Sequence, residues 1–142
     1  MLKQLLLVLT LVSMTAGVIA RGNAAEAGMA PQASNERGIK VTVTPRNLSS
    51  FAKTWDFEVV LETHTQSLGD DMVKSSTLVE GGKQHVPLSW EGAPPGGHHR
   101  KGLLHFKAIT PQPPSVGLQI RLTGEAAPRN FQWFLKGARN GK

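Results

Sequence analysis

The sequence predicts an all-β fold, an immunoglobulin-like antiparallel β-sandwich of about seven strands. Three observations predict it. Apolar and polar residues alternate with a period of two in one short segment after another, most cleanly over 54–63, where Trp55, Phe57, Val59 and Leu61 share one face and Asp56, Glu58 and Glu62 the other. Glycine and proline clusters separate these segments, notably Gly81-Gly82 and the run holding Pro111, Pro113 and Pro114. Between residues 38 and 135 no apolar stripe of helical period persists.

The amino end has a different grammar. Lys3 precedes an apolar run at 5–12, and small residues lead to Val18-Ile19-Ala20 or Gly22-Asn23-Ala24. This is the build of a secretory signal peptide over 1–24, cleaved after Ala20 or Ala24, and it sends the chain to a periplasmic or secreted location. As a helix, 5–20 would rise about 24 Å, short of the roughly 30 Å hydrocarbon core, so no transmembrane segment is expected after cleavage. Residues 25–37 are polar and small without an apolar period and read as a disordered leader. The sequence contains no cysteine, which excludes disulfides, thiolate chemistry and lipid attachment through a thiol.

The domain spans 38–135. Ile39, Val41 and Val43 alternate with polar neighbours up to Pro45, and the strand at 54–63 follows. Segments 75–80 and 83–90 flank Gly81-Gly82, a two-residue link suited to a hairpin turn with positive φ. In the second arm Val86, Leu88 and Trp90 are expected inward; Pro87 cannot donate to a ladder and places this arm at a sheet edge. Segment 102–109 turns Leu104, Phe106 and Ala108 inward, 116–122 turns in Val116, Leu118, Ile120 and Leu122, and 129–135 turns in Phe131, Trp133 and Leu135. Every aromatic residue except Phe51 and Phe134 falls on an expected inner face, which argues for core rather than a stacking platform. Residues 136–142 form a basic tail.

The pI of about 10.1 invites a nucleic-acid partner. Between residues 38 and 135, however, ten basic side chains face eight acidic ones, a net of +2. The rest of the excess lies in the leader and tail, so no phosphate-tracking footprint is expected.

If every connection reverses direction, loops 64–74, 91–101 and 124–128 share one pole, bringing together His64, Asp70, Asp71, Glu91, His98, His99, Arg100 and Glu125. The candidate ligand- or partner-binding residues are His64, His98, His99 and Arg100. Arg100 and Lys101 would grip an anionic group beside the exposed amides of Gly96 and Gly97. The alternative is a transition-metal site for copper or zinc formed by His64, His98, His99 and Asp71, since neutral imidazoles and a carboxylate suit those ions. Adjacent histidines are not a diagnostic ligand spacing, and solvated imidazoles in a glycine-rich loop satisfy the same sequence. Asp70 and Asp71 lack the alternating acidic pattern of a calcium loop and suit turn and capping roles. His85 and His105 read as single outward strand residues with no assigned role. No nucleophile elbow, phosphate loop, dinucleotide fingerprint or zinc-protease helix is present, and the chain is not expected to be an enzyme.

The run Thr54-Trp55-Asp56-Phe57-Glu58-Val59-Val60-Leu61-Glu62-Thr63-His64, then Trp90-Glu91-Gly92 and Pro94-Pro95-Gly96-Gly97-His98-His99-Arg100-Lys101-Gly102-Leu103-Leu104-His105-Phe106, resembles a family of small exported bacterial proteins of unassigned function. The likeness covers about residues 39–134. It implies an exported bacterial β-sandwich with His64 and the Gly-Gly-His-His-Arg loop as family features. It carries no ligand with it. The expectation is therefore an exported binding or interaction module for an unidentified protein or small ligand, with metal handling as the alternative.

Overall fold

A computed structural model describes residues 29–135; the expected signal peptide, residues 25–28 and the tail at 136–142 lie outside the described residues. In chain order the elements are β1 (Gln32–Glu36), β2 (Ile39–Asn47), β3 (Thr54–Thr63), a one-turn helix α1 (Met72–Ser75), β4 (Ser76–Glu80), β5 (Lys83–His85), β6 (Ser89–Gly92), β7 (His99–Lys107), β8 (Ser115–Ile120) and β9 (Arg129–Phe134). One sheet has the order β1-β2-β3-β7-β6 and the other β5-β4-β8-β9, with every neighbouring pair antiparallel. Without β1, this is the immunoglobulin arrangement of a four-stranded sheet facing a three-stranded one, the latter extended by one extra edge strand.

Alternation decides which face each strand buries. Trp55, Phe57, Val59 and Leu61 of β3 and Leu104 and Phe106 of β7 line one wall of the core; Leu78, Val116, Leu118, Ile120, Phe131 and Trp133 line the other. Phe57 joins the two walls. Its ring meets Phe106 edge-on at 5.7 Å and Trp133 at 5.5 Å across the sandwich. Phe51 and Phe134 are exposed, as the pattern predicts. Gly81 and Gly82 both have positive φ, as the hairpin requires.

Five expectations are corrected. The leader is not disordered throughout, because Gln32–Glu36 forms β1. Its partly exposed side chains carry no apolar period because main-chain pairing to β2 and side chains from β9 hold it. The arm at 83–90 is two strands in different sheets: β5 leaves the edge of β4 after three residues and the chain crosses to β6. Pro87 is buried at this crossing while Val86 and Leu88 are exposed, the reverse of the expected facing. Strand β7 begins at His99 rather than Gly102. Finally, α1 interrupts an otherwise all-β chain because Asp71 caps it, its Oδ1 accepting from the amides of Val73 and Lys74.

The seam between β1 and β9 is held by side chains instead of a main-chain ladder. The buried guanidinium of Arg129 donates to the carbonyls of Ser34, Glu36 and Ile39 and to Glu125 Oε1, the last at 2.6 and 2.9 Å. The Trp133 indole donates to the Ala30 carbonyl. In return the Gln32 side-chain amide takes both main-chain groups of Gln132, its Oε1 accepting from the amide and its Nε2 donating to the carbonyl.

Candidate functional site

Strand reversal brings the three polar loops to one pole. The Thr63 amide donates to the His98 carbonyl at 2.9 Å, the Leu68 amide to the Gly97 carbonyl at 2.9 Å and the Gly96 amide to the Leu68 carbonyl at 2.8 Å. The third loop joins through Asp70, whose Oδ1 accepts from both the amide and the hydroxyl of Thr123 at 2.9 and 2.6 Å. Gly96 and Gly97 have positive φ, which lets this loop turn back against Leu68.

Arg100 is the keystone of this pole and not the surface group expected from the sequence. Because β7 starts at His99, alternation turns Arg100 inward opposite Leu61, and only 1% of its surface is accessible. Its Nη1 donates to the carbonyls of Leu68 and Asp70 at 3.0 and 2.7 Å, and its Nη2 donates to that of Ala93 at 3.3 Å. The guanidinium lies over the Trp90 ring at 5.6 Å. Burial pushes its pKa below the ordinary value, opposed by the nearby Asp70 and Asp71 carboxylates. Nε is buried without a partner among the described residues. Arg100 therefore ties loops 64–74 and 93–101 together and is not free to grip a ligand, whereas Lys101 points outward, 3.6 Å from Glu58.

His64, His98 and His99 are exposed. His64 and His98 are neighbours through the Thr63 amide, and His99 stands opposite Glu62 in register. Asp71, the fourth expected metal ligand, is engaged at the cap of α1. Among the described residues no group of three or more histidine and acidic side chains is arranged to hold a metal ion. Beside the loops lies a cleft of about 510 Å³ bordered by Asp70, Asp71, Lys74, Arg121, Thr123 and Glu125. Its acids are taken up internally: Asp70 by Thr123, Asp71 by α1, and Glu125 by Arg129 and the Leu122 amide. Lys74 and Arg121 have no carboxylate within ion-pair distance among the described residues.

The chain matches no family model, no curated protein and no solved structure. What stands of the family resemblance is its architecture, a sandwich of two antiparallel sheets.

A second cluster lies on the outer face of the first sheet, where the sequence assigns no role. His105 Nδ1 is 2.6 Å from Asp56 Oδ1, and its Nε2 is 2.9 Å from Glu91 Oε2. An ionised carboxylate only accepts, so these two contacts favour the imidazolium form, in which both ring nitrogens donate. The bond to Asp56 raises the His105 pKa most, burial opposes it, and Glu91 adds to the rise. The two carboxylates flank opposite nitrogens of one ring, which suits a proton-held clasp between β3, β7 and edge strand β6. Asp56 and His105 are both legible as outward strand residues, but that they are directly opposed depends on the β3–β7 register.

Proposed function

We propose that this protein is an exported binding module whose working surface is the pole presenting His64, His98 and His99. The observation that carries the reading is the Arg100 tie. A buried cation that gathers three main-chain carbonyls from two loops fixes those loops before any partner arrives, and preorganised loops lose little entropy on binding. Their imidazoles make no hydrogen bond to a described residue and are free for a partner, and Lys74 and Arg121 border the cleft formed with residues 69–75 of the first loop. This favours a ligand or protein surface bearing hydrogen-bond acceptors and negative charge.

The test is a photo-crosslinking residue placed at position 98 and, as a control, at Gln119 on the outer face of the second sheet, in cells exporting the protein. A discrete adduct at 98 that is missing at 119 and is lost in a His64→Ala/His99→Ala background is expected. Equal labelling at both positions removes the reading. Metal analysis of untagged protein checks the alternative: stoichiometric copper or zinc that disappears in His98→Ala/His99→Ala would replace partner binding with metal handling.

A further inference from the structure

The opposite pole has another character. Four segments converge there: loop 48–53, the turn 80–83, the proline-rich stretch 107–114 and the end of β9. The Ala108 amide donates to the Lys53 carbonyl, the Gln112 side chain donates to the Leu48 carbonyl, and the Leu135 amide donates to the Pro114 carbonyl. The turn 80–83 and the stretch 107–114 border a shared cleft of about 650 Å³ flanked by Lys83 and Lys107.

Two features of these segments point the same way. Their charge is one-sided: Lys53, Lys83 and Lys107 are all exposed, whereas Glu80 is the single acid of the eight between residues 38 and 135 that belongs to them, and it lies 3.5 Å from His85 Nε2. The second feature is Phe51. It is 96% exposed on a short loop held by the Ala52 amide to Ser49 and by the Trp55 indole to the same carbonyl, so the loop is braced while its largest side chain contributes nothing to the core. A single exposed apolar residue needs no explanation. A phenyl ring projecting from a braced tip beside lysines, with the neighbouring Asp56 engaged by His105 and Glu80 beside His85, has the composition of a membrane-surface contact: the ring enters the headgroup layer and the cations meet anionic lipid.

We infer that the Phe51 pole docks on the surface of a bilayer containing anionic phospholipid, leaving the histidine pole turned away from the membrane. The inference is independent of what the histidine pole binds. Each lysine near such a surface strengthens binding about fivefold, and burying the Phe51 ring adds about tenfold.

The experiment is co-sedimentation of the exported, processed protein with vesicles of phosphatidylcholine alone or mixed with phosphatidylglycerol, at low and high salt. Binding to the mixed vesicles only, weakened by salt, is expected. Lys53→Glu/Lys107→Glu should weaken it at least about 25-fold and Phe51→Ser about tenfold, while His98→Ala/His99→Ala leaves it unchanged. Phe51, Lys53, His98, His99 and Lys107 are all exposed, and unchanged urea midpoints check that the variants fold. Three outcomes overturn the inference: no binding to mixed vesicles at low salt; binding indifferent to the Lys53, Lys107 and Phe51 changes but lost in Lys136→Gln/Arg139→Gln/Lys142→Gln; or equal, Phe51-independent affinity for soluble dextran sulfate.

Discussion

Replacing Arg100 by methionine tests the organisation of the histidine pole most directly. The substitution keeps most of the volume of the stem against Trp90 and removes three charge-assisted hydrogen bonds. The loss is uneven. The Leu68 carbonyl keeps the Gly96 amide at 2.8 Å, and the Ala93 carbonyl keeps the Trp90 indole at 2.9 Å, so the carbonyl of Asp70 is the one left bare. The bare buried acceptor costs about 1–3 kcal/mol, and each of the other two carbonyls loses one bond to a charged donor, worth about 1.5–3 kcal/mol before the arginine's own desolvation is set against it. Against that, methionine needs no desolvation and leaves no unpartnered Nε. The balance falls at about 2–3 kcal/mol, a drop in urea midpoint on the order of 2 M for a domain of this size. Amide exchange should report where the loss occurs, with Leu68 and Gly96 losing protection before the strands do. Arg100→Lys offers a point charge instead of a fork and should recover only part of the stability. A methionine variant within 1 kcal/mol of wild type, with Leu68 and Gly96 still protected, would refute the reasoning, and one more stable than wild type would reverse its sign.

Three further outcomes are expected. His105 has a folded pKa raised above its unfolded value of about 6.5, so its contribution is complete below that pH and is lost as pH rises through the folded pKa. With Asp56 a quarter exposed and Glu91 three-quarters exposed, the clasp is worth about 1 kcal/mol; urea midpoints on the acid and alkaline sides should converge in His105→Gln, and parallel curves for the two proteins would refute the clasp. A Cβ on Gly102 would meet Trp90 Cζ2 at 2.5 Å and the Glu91 carbonyl at 2.7 Å, so Gly102→Ala should lift β6 at a cost of about 1–3 kcal/mol, seen as altered tryptophan fluorescence. Arg129→Met removes the anchor of the β1–β2 hairpin and leaves Glu125 buried without its partner; a loss of about 3–5 kcal/mol and new protease cleavage near Gly38 are expected, and intact resistance would show that main-chain pairing alone holds β1.

Much of the fold is legible because side-chain period and burial are the same fact in a sandwich: Trp55, Phe57, Leu104, Leu118 and Trp133 are inside where alternation puts them. The convergence of three loops at one pole follows from counting strand reversals. Other features are invisible for physical reasons. Strand β1 is held by main-chain pairing to β2 and by Arg129 more than ninety residues away, neither of which needs apolar side chains, so its own composition reads as disorder. Arg100 looks like a loop cation because a charged residue at an inward position breaks the alternation that would have started β7 at His99. Val86 and Leu88 look inward because periodicity cannot reveal that Pro87 marks a change of sheet. The His105 clasp depends on register, which no single strand encodes.

The exchange of side chains along the β1–β9 seam bears on how the protein behaves when crowded with copies of itself. An open outer strand is a template on which an intruding chain can continue the sheet. Here the amide of Gln32 imitates one rung of that continuation on Gln132, while Arg129 occupies the Ser34 and Glu36 carbonyls of β1 and Trp133 that of Ala30 just before it. The remaining rims are β5 and β6, three and four residues long, with Pro87 between them unable to donate. Among the described residues a newcomer therefore finds only short or already occupied rims on which to continue either sheet.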